Sequence, residues 1–256
     1  MVIKPTATVL REHEAHIWYV HTAACDSPEQ RAAYRLLLAP DELKRLDRFV
    51  FDHLKLEYLA TRALCRTMLS AFEPGVRPEQ WRFTTNAYGK PEIDAGMLTS
   101  SLRFNLSNTR NIVACAVTHS TDVGIDVENI TRIGDFEGVV TSYFSPKERR
   151  SFYALPSEQW RDRFFTLWTL KEAYIKARGV GLSIDLDLFS FDLSGESITV
   201  SFDPRALDDT RDWQFSSLEL DAYHRMAIAI RSASTPFTIW VREVVLEQVH
   251  ADCAQT

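Results

Sequence analysis

The chain has 256 residues, enough for one large domain or two of moderate size, and 45% of them are apolar, so it can bury a substantial core. Its 29 basic and 35 acidic residues leave a net charge of −6, which argues against wholesale nucleic-acid binding and leaves room only for local basic patches. No apolar run reaches membrane-spanning length, the opening MVIKPTATVL lacks the apolar core of a signal segment, and Cys25, Cys65, Cys115 and Cys253 are scattered without a C-x-x-C; a soluble cytoplasmic protein with reduced thiols is expected.

Residues 38–46, LAPDELKRL, place a small residue and a proline ahead of charged positions, which predicts a helix with proline at its first position. YLATRALCRTMLSAF (58–72) follows as a long helix. AYGKPEI (87–93) then reads either as a plain turn or as a stiff backbone on which Pro91 holds Lys90 for an anion contact. RFNLSNTRNIVACAVTHS (103–120) is a short strand, a polar turn and a β-branched strand. In DVGIDVENI (122–130), Ile125 and Val127 alternate with Asp126 and Glu128, so both carboxylates share one face of a strand. Such a pair can hold a hard cation such as Mg²⁺, although a solvated strand face is the plainer explanation of an isolated D-x-E.

The second half echoes the first. FSPKERRSF (144–152) repeats the small-Pro helix start, RDRFFTLWTLKEAYIKA (161–177) the long helix, and QFSSLELDAYHRMAIAIRS (214–232) the strand–turn–strand unit. The expectation is a pseudo-duplicated α+β fold, halves 1–119 and 120–256, each an antiparallel sheet packed with a long helix, with a ligand cleft between them. Gly179 in RGVGL follows a helix rather than preceding one, so it reads as a C-cap and not a phosphate cradle. LDDTRD (207–212) reads as a loop.

On the second long helix, Trp168, Glu172 and Lys176 stack on one face while Lys171 points elsewhere. Glu172 and Lys176 alone would be a surface ion pair contributing about 0.2–0.5 kcal/mol. Trp168 on the same face instead puts Glu172 at the edge of buried surface. No H-E-x-x-H or G-x-S-x-G occurs, and His13 and His16 lack a third ligand nearby, so neither a zinc site nor a nucleophile-elbow hydrolase is supported.

Taken together and in this order, AYGKPEI, RFNLSNT, GIDVENI and LWTLKEAYIKARGVGLSI closely resemble the Sfp-type 4'-phosphopantetheinyl transferases, over residues 38 to 232. The resemblance implies coenzyme A as donor, an apo carrier-protein serine as acceptor, 3',5'-ADP as leaving group and a Mg²⁺ ion. It implies Asp126, Glu128 and Glu172 as metal positions, Glu172 also as general base, and Lys176 as the cation facing the leaving phosphate. Gly89, Lys90 and Ser107 match coenzyme-binding positions; Arg45 and His53 match variable basic positions of the first half. Many members read F-N-[IL]-S-H where this chain has FNLSN, so Asn108 offers a hydrogen bond to phosphate but no charge.

Because carriers are usually acidic, an acidic enzyme must dock them through a local basic and apolar surface. Residues 131–150, with Phe136, Val139, Val140, Arg149 and Arg150, are one candidate; a structural connector is the other reading of the same segment. Two fused halves able to complete a site within one chain lead us to expect a monomer. The rival functions are a non-catalytic coenzyme A or carrier-binding module and another Mg²⁺-dependent pyrophosphate-cleaving enzyme.

Overall fold

A computed structural model describes residues 10–97, 101–206, 208–233 and 235–246. The first nine residues, Leu207 of the LDDTRD loop and Cys253 lie outside them. In the first half β1 (Glu14–His21) leads into α1 (Pro28–Arg35), α2 (Pro40–Leu46) and the long α3 (Asp52–Phe72). A short hairpin, β2 (Phe83–Thr85) and β3 (Pro91–Ile93), and a longer one, β4 (Leu102–Thr109) and β5 (Ile112–His119), complete it. The second half repeats the order with β6 (Val123–Asn129), α4 (Phe136–Tyr143), α5 (Pro146–Tyr153) and the long α6 (Trp160–Arg178). Its hairpins are β7 (Phe189–Asp192) with β8 (Thr199–Phe202), and β9 (Trp213–Asp221) with β10 (His224–Arg231). Strand order matches too: β1-β5-β4 in one sheet, β6-β10-β9 in the other, all antiparallel. This is the expected pseudo-duplicated α+β fold.

The last strand crosses from the second half to the first. β11 (Thr238–Glu243) returns to the first half and pairs with β1 in parallel, Glu14 opposite Thr238. Without it β1 would be a sheet edge with unpaired N–H and C=O groups, so β11 supplies the missing ladder.

Each half locks its long helix with the same device. Glu42 of α2 and Glu148 of α5 fold back to accept from the backbone N–H of Ala39 and Ser145, 2.9 Å in both cases. Each glutamate then meets a cation on the long helix: Arg66 at 2.6 Å and Lys171 at 2.7 Å. Arg66 also donates to the carbonyls of Pro78 and Trp81, and Lys171 to those of Leu186 and Phe189. The three protons of the Lys171 ammonium therefore have three acceptors, which makes its complete burial tolerable. These locks fix the roll and axial position of α3 and α6.

Apolar clusters lie under each long helix, and a third fills the space between the two sheets, where Ile17, Ala116, Ile125 and Ile228 are fully buried. At one margin β4 and β6 belong to different sheets and are stitched by side chains. Asn105 Oδ1, Ser107 Oγ and Thr109 Oγ1 accept from the backbone N–H of Ile125, Val127 and Asn129 at 2.9, 3.1 and 3.2 Å. Alternate residues of β4 thus satisfy the edge of β6.

Candidate active site at the seam between the halves

Gly124 explains how α6 comes to lie directly on β6. A Cβ at this position would stand 2.0 Å from the carbonyl oxygen of Ala173 and 2.4 Å from the nitrogen of Ala177. Only glycine permits that approach. Two residues on, Asp126 is 5% exposed and faces α6, where Lys176 Nζ donates to its Oδ1 at 2.6 Å. Ser107 closes the triangle: its hydroxyl donates to Asp126 Oδ1 at 3.1 Å and accepts from Lys176 Nζ at 3.0 Å and from the Val127 N–H. One proton and two lone pairs are thereby all engaged. Asp126 Oδ2, in contrast, is buried and accepts no hydrogen bond from the described residues, a costly state for a carboxylate oxygen.

Two further acids stand beside it. Burial, and then the charge of Asp126, push Glu128 up to about 7, against the opposing pull of Arg132, Lys176 and a hydrogen bond from Trp168. The same two causes raise Glu172, with Lys176 opposing. Lys176 pairs with Asp126 across the seam, so its chief partner is not Glu172 one turn away. A surface salt bridge along the helix does not describe this arrangement. Among the described residues no three Asp, Glu, His or Cys side chains gather, as they stand, into a group that could hold a metal ion.

Lys90 sits at the far end of α6. Its ammonium donates to the Ala177 carbonyl at 3.0 Å while Asn86 Nδ2 donates to the Gly179 carbonyl at 2.7 Å, so the β2–β3 turn caps the helix C-terminus. Burial lowers the lysine's pKa. Gly89 (φ +86°) makes that turn possible, and Gly179 (φ +64°) is the left-handed C-cap expected of RGVGL.

The first-half residues form a separate group. Asn108 is exposed and hydrogen-bonds Glu57, a buried carboxyl raised by desolvation, with His53 and Arg110 alongside. Arg45 lies over the Tyr58 ring at 5.6 Å, on the wall of a cavity of about 380 Å³ that Arg62 and Arg82 also line. Arg62 there pairs with Glu42 at 3.4 Å and lies over the Tyr58 ring at 5.5 Å.

The structure therefore brings Asp126, Glu128, Glu172, Lys176 and Ser107 together, and holds Arg45, His53 and Asn108 apart from them. Sequence reading missed Gly124, Lys171 with Glu148, and Arg62. The signal for the lock was the small-Pro-x-Glu pattern present in both halves. Residues 131–150 turn their apolar side chains largely inward: Val140 is fully buried, and Phe136 packs on Phe164 and Phe165 beneath Arg161. The connector reading fits that segment, with Ile133 left 94% exposed.

Residues 122–231, which hold β6, α6 and β10, match the family model of the 4'-phosphopantetheinyl transferase superfamily. The 4'-phosphopantetheinyl transferase HetI of Nostoc sp. is 36% identical over 181 residues, 70% of this chain and 75% of its own. The 4'-phosphopantetheinyl transferase Sfp of Bacillus subtilis is 28% identical over 210 residues, 82% of this chain and 89% of its own. The crystal structure of holo-[acyl-carrier-protein] synthase from Thermotoga maritima aligns with a TM-score of 0.35 and 23% identity over 43% of this chain and 61% of that one. The chain belongs to the 4'-phosphopantetheinyl transferase superfamily, in its Sfp-type branch. It is an enzyme of the class that transfers phosphopantetheine to carrier proteins.

Proposed function

We propose that this chain transfers the 4'-phosphopantetheine arm of coenzyme A to a serine of an apo carrier protein, releases 3',5'-ADP and requires Mg²⁺. The observation that carries the reading is Asp126, which is buried with one oxygen held by Lys176 and Ser107 and the other accepting no hydrogen bond among the described residues. Glu128 and Glu172 stand next to it with their ionisation opposed by its charge. Such a group of acids is short of a cation. Mg²⁺ suits it, because this ion takes one or two carboxylates and fills its remaining positions with water and phosphate oxygens. Asp126, Glu128 and Glu172 are the residues that would hold it, and when bound it would supply charge neutralisation at the pyrophosphate.

The chain's own residues divide the remaining work. Glu172, whose carboxyl burial raises above its ordinary value, is suited to accept the proton of the attacking serine hydroxyl. Lys176 is held at the seam by Ser107 and presents its charge to the departing phosphate. Ser107 positions both partners through its saturated hydroxyl. Lys90 keeps two ammonium protons beyond the one given to Ala177 and is assigned to the coenzyme together with Gly89, Arg45, His53 and Asn108. Arg62 and Tyr58, on the wall of the arginine-lined cavity, are further donors for a phosphate oxygen. Residues 1–119 and 120–256 are the two halves, and a monomer contains all of these groups.

Mass spectrometry of an apo carrier incubated with the chain, coenzyme A and Mg²⁺ tests the reading. The expected result is a carrier heavier by one phosphopantetheine, with 3',5'-ADP in solution. Coenzyme A bound but unconsumed would indicate a binding module, and pyrophosphate cleavage without carrier modification would indicate a hydrolase. Either outcome contradicts the proposal.

A further inference from the structure

His224 is a buried titratable side chain that the chemistry above does not use. It opens β10, is 3% exposed and touches both halves of the fold. Its Nδ1 lies 2.9 Å from each oxygen of Asp221, across the β9–β10 turn. Burial would raise Asp221, but hydrogen bonds from the Tyr223 N–H and from His224 outweigh it, so this carboxyl lies below its usual value and remains an acceptor. Nδ1 therefore carries a proton. Nε2 lies 3.1 Å from the carbonyl oxygen of Arg110, in the first half, and 3.3 Å from Asn129 Nδ2 at the end of β6. The Asn129 amide has a fixed orientation, because its Oδ1 accepts from the N–H and the hydroxyl of Thr131 at 2.8 and 2.6 Å. Nε2 thus stands between an acceptor and a donor. With a proton it donates to Arg110 and ties β10 to the first half; without one it accepts from Asn129, and the tie stays inside the second half.

The first-half partner belongs to a short turn. Arg110 and Asn111 join β4 to β5, with Asn111 in the left-handed region at φ +73°. Neighbouring groups of the turn are already engaged. The Asn111 carbonyl accepts from the Thr22 N–H at 2.9 Å, and Thr109 Oγ1 from the Asn129 N–H. On the α3 side, Glu57 accepts from the Asn111 N–H and from the Asn108 side chain. Asn108, exposed and assigned to the coenzyme, stands two residues before the carbonyl that His224 faces. A shift of the turn therefore moves Asn108 with it.

We propose that His224 is a positioning residue for the coenzyme: by donating from Nε2 to the Arg110 carbonyl it fixes the β4–β5 turn from the second half, and so sets where Asn108 meets a phosphate of the coenzyme. The inference rests on the transferase reading above and on its assignment of Asn108. The same half carries Asp126, Glu172 and Lys176, so the tie keeps a coenzyme contact of the first half in register with the acids and the cation of the second.

Asparagine and glutamine at position 224 separate this role from simple packing. His224→Asn keeps a donor where Nδ1 stands, facing Asp221, but does not reach Arg110. His224→Gln places its amide donor where Nε2 stands. In steady-state transfer, KM for coenzyme A should rise about fivefold or more in His224→Asn, with kcat and KM for the carrier within about twofold, and should be largely restored in His224→Gln. Calorimetric titration with coenzyme A should give the same order of affinities. Wild-type protein carrying ¹⁵N-labelled histidine supplies a measurement that needs no variant to fold: in a ¹⁵N–¹H correlation at the assay pH, His224 Nε2 should bear a proton. A bare Nε2 overturns the proposal, because the ring then accepts from Asn129. So does a wild-type coenzyme A KM in folded His224→Asn, or an equal loss in the Asn and Gln variants. Failure of the transferase reading is distinct: wild-type protein then leaves the carrier unmodified, while the coenzyme A titration still tests His224.

Discussion

Gly124→Ala adds one methyl group at the point where the strand and helix of the site touch. The new Cβ would stand 2.0 Å from the Ala173 oxygen and 2.4 Å from the Ala177 nitrogen, both backbone atoms that no rotamer change can move. Ordinary contacts between such atoms lie near about 3.5 Å, so α6 must retreat from β6 by roughly 1 Å or more. Overpacking of this kind costs about 1–3 kcal/mol of stability. The functional cost is larger, because Glu172 and Lys176 ride on the displaced turns on either side of Ala173. A misplacement of about 1 Å is enough to lower turnover roughly 10²-fold. Urea unfolding and circular dichroism measure the first effect, and steady-state transfer at saturating carrier and coenzyme A the second. A folded Gly124→Ala protein with kcat within about threefold of wild type would show that α6 has slack against β6 and that the placement argued here is wrong.

Other perturbations follow from the same contacts. Lys171→Met leaves Glu148 buried without its cation and should lower stability in urea by about 3–5 kcal/mol; the double variant with Glu148→Gln should recover part of that loss, and an additive double would contradict the lock. Glu128, raised from 4.5 to about 7, binds a proton in the folded state that the unfolded state has released, so its contribution is intact below pH 4.5 and is lost as pH rises through 7, up to about 3 kcal/mol. Denaturant melts of chelated protein should show this decline, Mg²⁺ should reverse it in wild type, and Asp126→Asn should weaken the reversal; a flat profile with no response to Mg²⁺ would refute the metal assignment. Asn108→His should tighten coenzyme A relative to dephospho-coenzyme A if position 108 reads the 3'-phosphate, and equal inhibition constants for both donors would show that Glu57 holds the side chain instead.

The fold was legible because its signals are local and repeated. Pro40 and Pro146 announce their helices, the long helices carry apolar faces, and Gly179 ends the second of them. The alternation in GIDVE put Asp126 and Glu128 on one face without help from tertiary structure, yet Asp126 is largely buried there and Glu128 only partly. Non-local facts were not legible. Nothing near Thr238 tells that β11 would pair in parallel with β1, more than two hundred residues earlier. Nothing near Lys176 tells that it would reach across to Asp126, because a neighbouring strand competes with the i−4 glutamate only once α6 is seated. Gly124 carries no signal of its own in the sequence; its role appears only when the opposing helix backbone is in place. Lys171 and Glu172, adjacent in sequence, ended in opposite roles because consecutive helix positions face different surroundings, a dry lock and a polar seam.

The central claim is that Glu172 and Lys176 act at the seam rather than on the helix surface, and steady-state transfer by folded Glu172→Gln and Lys176→Ala variants tests it most directly. Glu172→Gln should lower kcat by at least about 10²–10⁴-fold, the range of a lost general base. Lys176→Ala should lower kcat more than it weakens coenzyme A binding, since its charge matters most as the phosphate departs. Two variants with native circular dichroism and near-normal kcat would contradict the account and return the pair to the surface.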